Sequence, residues 1–177
     1  MKLVLLTVVL FGMPVCCWAD CQLISSQKKV SWGTLGAAER QLAKGQPFSL
    51  AGKQIQVHVV CSEPRRIRLF INSDLPQTGG AFSFGATGQM QVIASQSSVD
   101  NKPVRIAPVH FADNAPPSGG SDHLEVLPNQ GLAFVDSQEV FGKNASVTFS
   151  VIPKIKPGSV ADRATWRGNL TIKMDVQ

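Results

Sequence analysis

Tyrosine is absent from this 177-residue chain, aromatic residues make up only 7% of it and charged residues only 16%. Lys and Arg number 17 against 12 acidic residues, and the resulting +5 is spread too thinly for the clustered basic surface that phosphate contacts require. A nucleic-acid partner is therefore not expected. Catalytic signatures are lacking too: there is no G-x-S-x-G elbow, no H-E-x-x-H pair and no paired C-x-x-C, and neither Gly79-Gly80 nor Gly85 to Gly88 opens a phosphate-cradling helix. His58 falls on the polar face of a strand pattern, while His110 and His123 flank a Pro/Gly-rich stretch near Asp113, Asp122 and Glu125. A site built from His110, Asp113, Asp122 and His123 would lack any ordered ligand spacing, so a solvated loop is the better reading. No enzyme activity, metal or cofactor is implied.

What the chain has in quantity is apolar character, 44% of residues, enough to bury a core and to exclude wholesale disorder. Residues 1–19 read as a secretory signal peptide: Met1-Lys2 carries the charge, Leu3 to Phe11 is apolar but for Thr7, and Cys17-Trp18-Ala19 ends in a small residue suited to cleavage. The apolar run is too short to span a bilayer. An uncleaved leader would instead anchor the chain, and lipidation at Cys16 or Cys17 fits less well because Met13-Pro14-Val15 lacks the small residue expected there. Residues 20–177 then form one exported domain.

Cleavage removes Cys16 and Cys17 and leaves Cys21 and Cys61, an obvious pair in an oxidising compartment, with two unpaired buried thiols as the alternative. A crosslink over about 40 residues would contribute about 4 kcal/mol in the chain-entropy model.

Period two dominates the rest. Ile55, Val57 and Val59 alternate in phase with Cys61, which turns the cysteine toward the same interior. Ser146 to Val151 and Leu170 to Val176 alternate as cleanly, and each predicts a strand with one buried face. Less regular strands are expected at Val30 to Trp32, Ile67 to Ile71, Ala81 to Phe84, Gln89 to Ala94, Val104 to Ala107, Leu124 to Leu127 and Leu132 to Val135. Turn residues between them, such as Gly79-Gly80, Asp100-Asn101, Pro128-Asn129 and Lys156-Pro157-Gly158, complete the pattern of an all-β sandwich. Gly36 to Ala43 is the one stretch of helical propensity, and Pro108 to His123 reads as a long surface loop.

Arg65, Arg66 and Arg68 admit two readings: a patch for an anionic glycan or surface, or the wet face of an exposed strand whose charge discourages edge pairing. The second is favoured. Asn144-Ala145-Ser146 and Asn169-Leu170-Thr171 match the N-glycosylation triplet, which matters only in a eukaryotic secretory pathway.

The order of these parts resembles the chaperone–usher fimbrial subunits: a leader, an early Cys21, Val30-Ser31-Trp32-Gly33, then Cys61 closing Gln54 to Cys61, Phe82-Ser83-Phe84-Gly85 and a terminal alternating strand. The chain is most similar to a poorly characterised branch with a V-x-[YW]-G motif after the first Cys; the likeness covers most of residues 21–177 and is weakest from about 108 to 140. The resemblance implies an immunoglobulin-like β-sandwich lacking its last strand, stabilised by one disulfide. It also implies a groove beside the C-terminal strand, walled by Leu170, Ile172, Met174 and Val176. A periplasmic chaperone would fill this groove first, and an extended segment of another fimbrial subunit would replace it at the outer-membrane usher. With only Asp20 ahead of Cys21 after cleavage, such a subunit accepts a strand without donating one, which suits a tip or minor subunit that meets a host or surface receptor. An ordinary complete sandwich would bury the same four side chains, so a self-contained secreted module binding glycan or protein, through Trp166, Arg167 or the loop of residues 108–123, is the alternative.

Overall fold

In a computed structural model of the protein, the described residues are 20–27, 30–32, 41, 48–73, 80–85, 88–111, 116–117, 119–155 and 168–177. They form the strands β1 (Cys21–Ser25), β2 (Phe48–Ser49), β3 (Lys53–Asn72), β4 (Phe82–Phe84), β5 (Gly88–Val99), β6 (Lys102–Pro103), β7 (Arg105–His110), β8 (His123–Val126), β9 (Gln130–Val135), β10 (Phe141–Ile155) and β11 (Thr171–Val176). The fold is the expected all-β, immunoglobulin-like sandwich.

The alternating segments explain the two layers. In one, β1, β3, β10 and β5 lie side by side, with β4, β8 and β6 strung along the far side of β5. In the other, β11, β3, β9 and β7 are neighbours. All of these pairings are antiparallel, so alternate side chains of both layers meet in a shared core. Val57, Val59, Leu69, Ile71, Phe82, Phe84, Val92, Ile106, Leu132, Phe134, Val147 and Phe149 are all no more than 1% exposed.

β3 serves both layers. Its first half pairs with β1 and β10, and from Ile67 onward it pairs with β11 and β9. The two separate strands expected at Gln54 to Cys61 and Ile67 to Ile71 are therefore one strand of 20 residues. Its inward residues, Ile55, Val57, Val59, Cys61, Ile67, Leu69 and Ile71, are all odd-numbered, so the alternation passes through the crossover without a slip in phase. β10 follows the bend with a bulge between Gly142 and Asn144. Asp100, at a positive φ of 47°, accepts the amide hydrogens of Lys143 (3.1 Å) and Asn144 (2.9 Å) and pins that bulge.

Two other expectations change. Val30 to Trp32 is not a strand. Trp32 instead donates its indole N–H to the Ala51 carbonyl at 2.9 Å and sets its ring edge-on to Phe84 at 5.6 Å, so the aromatic residue serves as a plug rather than a rung. The loop expected from Pro108 begins only after β7, and Ser121 rejoins that strand through paired bonds to Ile106. The helical stretch Gly36 to Ala43 lies, but for Gln41, outside the described residues, as do residues 1–19.

The arginine cluster also differs from a uniformly wet face. Arg68 is buried and makes a bidentate pair with Glu139, Nε to Oε1 at 2.7 Å and an Nη to Oε2 at 2.8 Å. Arg66 stacks on Phe141 at 5.3 Å, and only Arg65, 3.9 Å from Glu63, and Arg66 keep substantial exposure. Glu139→Ala strips the buried guanidinium of its carboxylate and is expected to cost about 3–5 kcal/mol in denaturant unfolding. Arg68→Met combined with Glu139→Leu is expected to be far milder, because neither charge then remains buried.

Candidate functional site

Backbone direction identifies the site. Ser62 N–H donates to the Asp20 carbonyl (3.1 Å), Ser26 N–H to the Gln56 carbonyl (2.8 Å), and Arg66 and Gln177 exchange both bonds (2.9 and 3.1 Å). In an antiparallel ladder the bonding groups alternate sides, so the even-numbered residues of β3 from Gln56 to Asn72 face β1 and β11. Both strands lie on the same flank of β3 and run in the same direction, β11 opposite Ile67 to Asn72 and β1 opposite Val57 to Cys61. They meet nearly end to end. The even residue between them is Pro64, which has no N–H to leave unpaired.

The same alternation fixes what points the other way. Asp175, Lys173 and Thr171 turn their amides and carbonyls to β3, leaving those of Ile172, Met174 and Val176 directed outward. On β1 the outward residues are Cys21, Leu23 and Ser25. Among the described residues no strand pairs with this line. The opposite margin is handled differently: β5 is covered in turn by β4, β8 and β6, each of four residues or fewer.

The side chains match the backbone. Leu170, Ile172, Met174 and Val176 pack against the core but are only partly buried, as are Cys21 and Leu23 of β1. Across the ladder their neighbours Ile67, Leu69 and Ile71 are 2%, 1% and 1% exposed. The difference follows from position: a residue on β3 is covered by strands on both flanks, one on β11 on a single flank. Gly168, just ahead of this edge, packs against Met90 and Phe84, and a Cβ there would require the flexible end of Met90 to move aside. The Cys21–Cys61 disulfide, at a sequence separation of 40, fastens β1 to β3 directly across the ladder. In the chain-entropy model a loop of that length is worth about 4 kcal/mol.

Of the residues singled out by sequence, the structure places Ile172, Met174 and Val176 on β11, Leu170 immediately before it and Cys21 beyond its end. The continuation of the open margin along β1 is not apparent from sequence, although the shared phase of Cys21 and Leu23 with the core was a usable signal. His110 ends β7 and His123 begins β8, with Asp113 outside the described residues. Among the described residues no group of His, Cys, Asp or Glu is arranged to hold a metal ion. Trp166 and Arg167 also lie outside them.

No family model matches the chain. It is 28% identical over 182 residues to the uncharacterized protein YhcE of Escherichia coli (strain K12), the alignment covering 100% of both chains. Among solved structures it is similar to the P pilus rod subunit PapA, with a TM-score of 0.50 at 8% identity, covering 90% of this chain and 99% of that one. At that identity the likeness speaks to the fold, which is pilin-like.

The half-covered state of the edge is measurable. Met174→Ala is expected to destabilise the protein by about 1–2 kcal/mol, as for a partly buried side chain. Leu69→Ala, its neighbour on β3, is expected to cost about 2–5 kcal/mol. Equal losses in urea unfolding would mean that Met174 is covered on both flanks.

Proposed function

We propose that this protein is a structural, non-enzymatic subunit of a bacterial surface fimbria, exported to the periplasm on removal of residues 1–19 and assembled by strand donation along the chaperone–usher route. One observation carries the reading: β11 is paired on one side only among the described residues, and Leu170, Ile172, Met174 and Val176 sit half-buried beside its free side. An added strand would supply partners for the outward amides and carbonyls of Ile172, Met174 and Val176 while covering their side chains. Main-chain bonds then give affinity, and the alternate apolar positions give selectivity.

In this reading a periplasmic chaperone lends the strand first, and an extended segment of a neighbouring subunit replaces it at the outer-membrane usher. The pilin-like fold supports the scheme. The chain would stand at the fibre tip or as a minor subunit, since removal of residues 1–19 would leave only Asp20 ahead of Cys21 to donate, while β1 itself pairs with β3 over five ladder positions and a disulfide. A receptor on a host or other surface would be met from there.

Periplasmic expression with and without a pilus chaperone tests the proposal. A soluble one-to-one complex is expected, with Met174→Lys abolishing it, because an ammonium group in the groove has no partner once the strand is seated. A chain that refolds reversibly as a monomer and ignores the chaperone would contradict the proposal and favour a self-contained binding module.

A further inference from the structure

The free side of β11 is complementary to itself. Ile172, Met174 and Val176 turn their side chains inward, and between them Lys173 and Asp175 stand on the outer face, opposite Phe70 and Arg68 of β3. One cation and one anion are therefore placed symmetrically about Met174. Laid antiparallel about that residue, two copies of the segment set Ile172 against Val176, Met174 against Met174, and Lys173 against Asp175 of the second copy.

The backbone agrees with that register. Ile172, Met174 and Val176 direct their amides and carbonyls away from β3, and an antiparallel ladder needs such residues directly opposite one another to exchange both N–H···O bonds. A slip of one residue would set bonding residues against non-bonding ones and turn the apolar side chains to opposite faces. A slip of two would bring Lys173 against Lys173 or Asp175 against Asp175, and like charges facing across a ladder repel where opposite ones attract. Lys173 is exposed and forms no ion pair among the described residues, while Asp175 accepts the Gln177 side-chain amide at 3.3 Å. On β1, the other half of the margin, the corresponding outer residues are Gln22 and Ile24. Charge thus selects β11.

We propose that a second copy of this chain closes the margin, β11 against β11 about a two-fold axis at Met174, joining the β11 layers of two molecules into one continuous sheet. A donated strand claims the same edge, so on the fimbrial reading the dimer shields it until donation displaces the second copy. The pairing itself rests only on the open edge. A contact made by one six-residue strand from each copy is small, so the association is weak and the margin stays free in dilute solution.

Sedimentation velocity of the oxidised chain purified from the periplasm, from about 1 to about 500 micromolar, tests the pairing. A monomer–dimer equilibrium with a Kd of about 100 micromolar is expected. Lys173→Glu sets carboxylates against each other at both symmetry-related places and is expected to raise the Kd roughly tenfold while leaving the urea midpoint in place. Met174→Cys gives a readout independent of affinity. Its two Cα atoms would stand about 5.5 Å apart, within the span of a disulfide, so mild oxidation is expected to link the copies, whereas Lys173→Cys, facing Asp175 of the second copy, stays unlinked. Monomers throughout the range, a Kd indifferent to Lys173→Glu, or equal crosslinking at both positions would overturn the proposal. A chain that stays monomeric yet forms the one-to-one chaperone complex overturns the dimer alone, and a dimer that ignores the chaperone overturns the fimbrial reading alone.

Discussion

A strand that belongs to two sheets must keep hydrogen-bond partners on both flanks while the layers separate, and β3 meets that constraint at nearly every position. On one flank β10 hands over to β9. On the other, β1 hands over to β11, and the one residue facing the seam is Pro64, whose missing amide leaves only a carbonyl for water. The bulge in β10, the Asp100 carboxylate that holds it and the buried Arg68–Glu139 pair all lie at or next to this crossover. Sheet and sandwich are built around the continuity of one strand.

That continuity creates the site. Because β1 and β11 share a flank of β3, their outer sides form one line of amides and carbonyls with inward, half-covered apolar side chains beneath. Water can satisfy the backbone groups of an exposed edge, but it cannot cover the flanks of Ile172, Met174 and Val176, and on the proposed reading the cost of that exposure favours an added strand. The other margin of the same sheet carries three short strands instead, a pattern that blunts edge pairing.

Much of this was legible in the residues. The alternation at Ile55 to Cys61, Ser146 to Val151 and Leu170 to Val176 predicted strand, face and the inward cysteine, because one buried face imposes period two. The union of two predicted strands into β3 was harder to read, since Glu63, Pro64 and Arg65 interrupt the apolar pattern where the chain passes between layers, yet the odd-numbered phase carries across them. Trp32 was misread as part of a strand because an aromatic residue beside Val30 has strand composition, whereas its indole is spent on a loop carbonyl. Arg68 was misread as solvated because its partner, Glu139, is 71 residues away in sequence. The shared flank of β1 and β11 has no local signature; it is a product of topology.

Amide hydrogen exchange of the isolated, oxidised chain tests the free margin most directly. Lys173, Asp175 and Gln177, bonded to β3, are predicted to exchange slowly, and Ile172, Met174 and Val176 quickly, in strict alternation along the segment. Uniformly slow exchange from Ile172 to Gln177 would mean that β11 already has a strand on its outer side, and the account of an open edge would be wrong.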